Sequence, residues 1–267
     1  MTGASGLMVR DLTVRYGGVL AVDQVSLSVP ANAITGLIGP NGAGKSSLFG
    51  ACAGAVPSSG GTIELFGRDV TRYGSVHRAR LGLGRTFQRI QLFHTMTVQQ
   101  NVAMGHLATY ARRHPWSLFY ASPGERRETR RVTDEVLEHC GLSAIAQRVA
   151  GSLSTGEQRM VELARVLASP APMLLLDEPS SGLSPEERQR FAAILREACR
   201  SMGRGVFLVE HDMDLIAAVC STIHVLNFGK LIFSGTLRDA LTDEAVQKSY
   251  LGVGSTEEVV PEGLTNA

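Results

Sequence analysis

An α/β fold with an N-terminal antiparallel β subdomain and an inserted helical subdomain is what this sequence predicts, and three observations predict it. Apolar and polar residues alternate through much of positions 7–29, the pattern of strands with one buried face. Short, mostly apolar runs recur at 34–38, 173–177 and 205–210, as buried strands of an α/β core do. Between about 89 and 153 the pattern turns mainly helical.

The elements follow in order. Leu7 to Tyr16 and Ala21 to Val29 read as two antiparallel strands joined by the Gly17-Gly18 turn. Ile34 to Ile38 reads as a buried strand, and Lys45 to Ala53 as a helix start. Gly60 to Gly67 reads as a turn and a short strand. Thr97 to His106 and Glu125 to Cys140 are the clearest helices of the insert. Met173 to Asp177 resumes the core, and Pro185 to Ser201 has Ser184 before it and proline in its first turn, both helix-start signals. Strands at Gly205 to Glu210 and Ile223 to Asn227 flank a helix at Met213 to Cys220. Phe228-Gly229 then turns the chain into Lys230 to Ser234. Residues after about Gly252 are polar, acidic and aperiodic, which predicts a loose tail over 254–267. No internal repeat interrupts this order. It describes one core carrying an insert, not two tandem domains.

Bulk properties exclude several classes. The 267 residues can bury a sizeable core, and a net charge of +1 argues against a wholesale electrostatic binder of nucleic acid. No run of 18 apolar residues predicts a membrane span, and the first residues carry no signal-peptide pattern. The four cysteines, at 52, 140, 199 and 220, are far apart and form no C-x-x-C pair, so free and mostly buried thiols of a reducing cytosol are expected.

The chemistry begins at Gly39-Pro40-Asn41-Gly42-Ala43-Gly44-Lys45-Ser46, which fits G-x-x-x-x-G-K-[ST]. Its glycines let the backbone fold round an anion with N–H groups inward. Lys45 can reach the β- and γ-phosphates, and the Ser46 hydroxyl can ligate Mg²⁺. The strand before and helix after supply the context this loop needs, because a helix N-terminus itself favours phosphate. A chance match in a chain with 29 glycines is the competing reading.

Met173-Leu174-Leu175-Leu176 delivers Asp177 and Glu178 at a strand end. Phosphoryl transfer needs an anionic partner for the metal on a neighbouring strand, which suits Asp177, and a group to polarise the attacking water, which suits Glu178. A plain helix cap is the alternative for such an acid pair. Leu153-Ser154-Thr155-Gly156-Glu157-Gln158 opens a periodic apolar helix, with Ser154 as N-cap and Glu157 completing a capping box. By itself it is either a well-capped helix or a helix N-terminus presented to phosphate.

Together, in this order, these motifs resemble those of an ATP-binding-cassette (ABC) ATPase over residues 5–253. Gly39 to Ser46 match the Walker A motif, Met173 to Asp177 the Walker B and Leu153 to Gln158 the ABC signature. Gln88 matches the Q-loop glutamine, His211 the switch histidine and Ser180 to Ser184 the D-loop. The resemblance implies a P-loop NTPase (RecA-like) core with a helical subdomain at approximately 89–165, and ATP and Mg²⁺ as cofactors. It implies Glu178, His211 and Gln88 as catalytic residues, and Ser46, Gln88 and Asp177 around the metal. Tyr16 would stack on adenine and the loop from Gly39 through Ser47 would hold phosphate. Ser154 and Gly156 would close the site from a facing copy, the second cassette being this chain or a sister. ABC permease subunits, and through them an extracytoplasmic solute-binding protein, are the other implied partners, at the cytoplasmic face of the membrane. Thr155 and Glu157 depart from the usual L-S-G-G-Q, and Ser184 stands where the D-loop usually has Asp.

Within the family the likeness is to the LivG type, the ATPase subunit of branched-chain amino acid importers. It is carried by Gly84-Arg85-Thr86-Phe87-Gln88, Leu92-Phe93, Met96-Thr97-Val98, Glu210-His211-Asp212-Met213 and Tyr250-Leu251-Gly252. Urea or amide importers and the lipopolysaccharide-export ATPase share some of these features. A non-transport ABC ATPase is a further alternative. Arg112 to Arg131 holds six arginines against two glutamates, with Trp116, Phe119 and Tyr120. It reads as a solvated insert or as a contact with anionic lipid or a membrane subunit.

Overall fold

The computed structural model describes residues 6–86, 90–110 and 122–251. Strands β1 (Leu7–Tyr16) and β2 (Val19–Val29) pair antiparallel. With β4 (Gly60–Leu65) and β5 (Arg68–Asp69) they form a four-stranded sheet ordered β2-β1-β4-β5. A second sheet of six strands runs β10-β9-β3-β8-β7-β6. Its members are β3 (Ile34–Ile38), β6 (Leu83–Arg85), β7 (Met173–Asp177), β8 (Gly205–Val209), β9 (Thr222–Asn227) and β10 (Lys230–Gly235). All pair parallel except β10, which returns antiparallel along β9.

Strands buried on both faces are apolar at most positions, and the side chains then alternate between two cores. Leu174 and Leu176 of β7 and Val206 and Leu208 of β8 enter one core with the helices. Met173, Leu175, Phe207 and Val209 enter the other, shared with the antiparallel sheet. Helix α1 (Lys45–Cys52) lies in that second core, its Phe49 ring 6.0 Å from that of Phe207. The phosphate-loop helix is thus clamped between the two sheets.

The first core gathers α3 (Val98–Tyr110), α4 (Pro123–His139) and α5 (Thr155–Ala168) with α6 (Pro185–Ser201) and α7 (Met213–Val219). Helix α3 crosses α5 so closely that a Cβ on Gly105 would lie 1.9 Å from the Arg165 carbonyl oxygen. The chain closes with α8 (Leu237–Thr242) and α9 (Glu244–Leu251). The alternation and the apolar runs locate most strands, but α2 (Ser75–Arg80) and β6 carry too few residues to show a period. Three-residue β6 exists by pairing with β7, where Gly84 admits the Leu174 side chain. The predicted tail at 254–267 lies outside the described residues. The cysteines at 52, 140 and 199 are free and buried, and Cys220 is free and half-buried. Among the described residues no helix is long and apolar enough to cross a membrane.

Candidate functional site

The carboxyl ends of β3, β7 and β8 converge, and the residues that follow them make the site. After β3 the chain loops through Gly39 to Gly44 into α1. Gly44 is the N-cap, with φ 99°, and no side chain caps this helix. Its backbone passes so near β2 that a Cβ would sit 2.3 Å from the Ala21 carbonyl oxygen. Below the loop, the Gly229 N–H donates to the Ala43 carbonyl at 2.9 Å. Lys45 is buried and its ammonium donates to the carbonyls of Gly39 at 2.7 Å and Pro40 at 2.9 Å. Burial lowers its pKa, and the nearby Glu178 carboxylate works in the opposite direction. Asn41, Gly42 and Ser46 are exposed, Ser47 is half-buried, and Pro40 and Ala43 are buried supports. The first N–H groups of α1 therefore meet neither a side-chain cap nor an acid in the first turn.

Asp177 ends β7 and is 9% exposed. Burial, then its neighbour Glu178, raises its pKa, against the pull of Arg85, Arg159 and His211. A carboxylate held short of water in this way gains from a cation. With the Ser46 hydroxyl it offers hard oxygen donors, which suit Mg²⁺. Glu178 follows at φ 46°, the left-handed region that a non-glycine residue enters rarely. Its N–H still bonds the Val209 carbonyl at 2.9 Å, so β7 and β8 hold the base of the side chain. Glu178 Oε1 lies 3.0 Å from His211 Nε2. Phosphate loop, Asp177, Glu178 and His211 thus come together.

Ser154 and Gly156 belong to a different cluster. Ser154 caps α5 by accepting from the Glu157 N–H at 3.2 Å, and Glu157 returns the bond to the Ser154 N–H at 2.8 Å. Arg148 pairs with the other oxygen of Glu157 at 2.8 Å. Glu157 in place of the usual glutamine therefore closes a capping box. The helix start packs on the D-loop: a Cβ on Gly182 would be 3.1 Å from Thr155 Cγ2, and Gly156 sits against the Glu187 carboxylate. Ser184 is the N-cap of α6, with its own capping box to Glu187. Hydroxyl capping does there what an aspartate would.

Tyr16, at the end of β1, is 50% exposed and open to a planar partner. Gln88 lies outside the described residues; β6, which precedes it in the chain, pairs with β7, Arg85 opposite Leu175. A groove of about 610 Å³ is lined by Arg80, Arg85, Gln91, Phe93, Glu162 and Arg165 among others. The first half of the basic segment, with Trp116, Phe119 and Tyr120, lies outside the described residues. In the described half, Arg131 pairs with Glu128 and Glu135 and Arg130 with Asp134 along α4. Those pairs make a solvated, charge-balanced helix face.

Residues to which the sequence reading assigned no role of their own also shape the site. Glu210 links two of its loops, Arg188 pairs with Asp212 beside the switch histidine, and the Tyr250 hydroxyl of α9 takes a bond from the Gly39 backbone. Glu210, Asp212 and Tyr250 lie in stretches that carried the family likeness, but nothing in the sequence pointed to these contacts.

The ABC transporter family model matches residues 22–181. The chain is 35% identical over 249 residues to the high-affinity branched-chain amino acid transport ATP-binding protein LivG of Salmonella typhimurium, covering 92% of this chain and 97% of that protein. It is 36% identical over 253 residues to BraF of Pseudomonas aeruginosa, which has the same description, again over 92% and 97%. The lipopolysaccharide export system ATP-binding protein LptB of Haemophilus influenzae is 34% identical over 246 residues, with the same coverage. Among solved structures, the ADP conformation of an ATP-binding cassette of an ABC transporter superposes with a TM-score of 0.80 at 29% identity, over 93% of this chain and 99% of that one.

Proposed function

Because the chain belongs to the ABC transporter family, we propose that it is the ATP-hydrolysing subunit of an importer of branched-chain amino acids. The observation that carries hydrolysis is the Glu178–His211 contact of 3.0 Å beside an uncapped phosphate loop. The amino acid cargo rests on the relatives named for that transport. The LptB-type relatives, named for lipopolysaccharide export, support a second reading.

Phosphoryl transfer asks the protein mainly for position and charge. Tyr16 stacks on adenine, and the backbone from Gly39 to Ser47 cradles the phosphates. Lys45 exchanges the carbonyls of Gly39 and Pro40 for β- and γ-phosphate oxygens. Ser46, Gln88 and Asp177 are the residues that would hold Mg²⁺, whose charge would offset that of the phosphates. Glu178 orients the attacking water and takes its proton, and His211 contacts the γ-phosphate while fixing the Glu178 carboxylate. Ser154 and Gly156 of a second cassette close the cage. The Ser154 oxygen already accepts a bond as N-cap, and its hydroxyl hydrogen remains to donate to phosphate. The helical insert, at approximately 89–165, carries the closing motion to permease subunits through the groove beside Gln91 and Phe93, at the cytoplasmic face of the membrane. A solute-binding protein outside selects the cargo.

Glu178→Gln is expected to bind ATP and lose hydrolysis by at least about 10²-fold, as removal of a water-orienting carboxylate does. Turnover at the wild-type rate contradicts the assignment. Purification of the chain with its permease from native membranes, followed by ligand binding to the associated solute-binding protein, decides between amino acid import and lipid export.

A further inference from the structure

Glu210 follows β8 directly and is 3% exposed. Its Oε1 accepts from the Ser180 N–H at 2.8 Å and its Oε2 from the His211 N–H at 3.1 Å. The Asp212 N–H and the Ser180 hydroxyl also donate to it. Burial works against its charge, and these bonds work for it. The two oxygens are divided between two loops. One is the D-loop, whose Gly182 packs on Thr155 and whose Arg159-bonded Ser181 carbonyl ties it to α5. The other carries His211, whose ring reaches Glu178. Asp212 anchors the far side of that second loop by capping α7 and pairing with Arg188 of α6.

We propose that Glu210 is a positioning residue that clamps the His211 loop to Ser180, so that seating of the D-loop and signature against a facing copy fixes His211 on Glu178. The proposal rests on the assignment of Glu178 and His211 above. Glu210 itself touches no substrate. Its chemistry is specific, because Glu210→Gln preserves shape but turns one of two acceptors into an N–H₂ that faces an N–H donor. Whichever way the amide lies, one loop is released.

The test compares Glu210→Gln, His211→Ala, their combination and Glu178→Gln, in single-turnover and steady-state ATP hydrolysis, with melting temperature alongside. Glu210→Gln is expected to lower kcat about 10²-fold, the scale of a small misplacement of reacting groups. KM for ATP should stay within about threefold, the sign of an interaction that acts on the chemical step. In the His211→Ala background Glu210→Gln should add no further loss, since it works through that histidine. Wild-type kcat in Glu210→Gln, or losses that multiply in the double variant, overturns the proposal. If Glu210→Gln does not fold, Glu210→Asp keeps the charge with a shorter reach. It must show the same kcat-selective loss, and a wild-type kcat there overturns the proposal equally. Glu178→Gln reads the underlying assignment separately: hydrolysis at the wild-type rate in that variant means that the site reading has failed, whatever Glu210 does.

Discussion

Helices α1 and α5 begin in opposite ways, although both present an N-terminus that suits phosphate. Helix α1 starts at a left-handed glycine with no side-chain cap and no acid in its first turn. Helix α5 starts at a serine whose capping box with Glu157 is complete and braced by Arg148. On the proposed reading the first end is the receptor for phosphate, with the Lys45 ammonium folded onto the Gly39 and Pro40 carbonyls beside it. The second is a finished surface, stable by itself and able to offer a hydroxyl to something brought against it. Their far ends are alike. Buried Arg78 donates to the carbonyls of Ala51 and Cys52 at the end of α1, and buried Arg204 to those of Val166 and Leu167 at the end of α5. Burial lowers the Arg204 pKa to about 10. A cation on the last carbonyls satisfies orphan acceptors and complements the helix dipole. The contrast lies only where nucleotide chemistry is expected.

The largest effect should come from Lys45→Ala, which strikes the receptor end alone. A charged donor lost from a phosphate site should lower kcat/KM for ATP by at least about 10²-fold with the melting temperature little changed. Equal losses of stability and activity would mean that Lys45 serves the loop and not the nucleotide. Next is Arg78→Met, which leaves the shared far-end device broken in α1 only. It removes the charged donor from the carbonyls of Cys52, Thr71 and Tyr73 and one of two donors from that of Ala51, and denaturant unfolding should show a loss of about 2–4 kcal/mol. A neutral result would show that solvent or repacking satisfies them.

The smallest effect concerns β9, which lies beside the phosphate-loop strand. His224 is buried, its Nε2 donating to the Ser28 carbonyl at 3.1 Å while Nδ1 faces the Ser234 hydroxyl at 2.8 Å. Burial lowers its pKa below the usual 6.5, so the unfolded chain binds the proton more readily. Its contribution is therefore present in full above pH 6.5 and is lost as pH falls below that toward its folded pKa. Melting scans across that window should show a decline that His224→Gln flattens. An unchanged slope would assign the decline to other groups.

Much of this was legible in the sequence. Strand–loop–helix context and the 34–38 and 173–177 runs made the receptor half readable, because burial on two faces favours apolar residues at most positions. Ser154 and Ser184 were readable as caps from their neighbours. The role of Glu210 was not, since its partner Ser180, 30 residues away, is brought to it by the pairing of β7 with β8 and leaves no local pattern. Arg78 was hidden likewise, 26 residues from Cys52, whose carbonyl it caps. Strand β6 was hidden because three residues cannot display a period.

The central claim is that the receptor and the finished surface of one site come from different chains. Mixing two inactive proteins tests it most directly. Lys45→Ala lacks the receptor. Thr155→Asp keeps α5 stable, since an acid suits a helix N-terminus, yet repels the phosphate brought to it. In a mixed pair one site joins the sound loop of the second protein to the sound signature of the first. Hydrolysis should therefore reappear on mixing, although each protein alone is inactive. A mixture as inactive as its components would contradict a site shared between two copies.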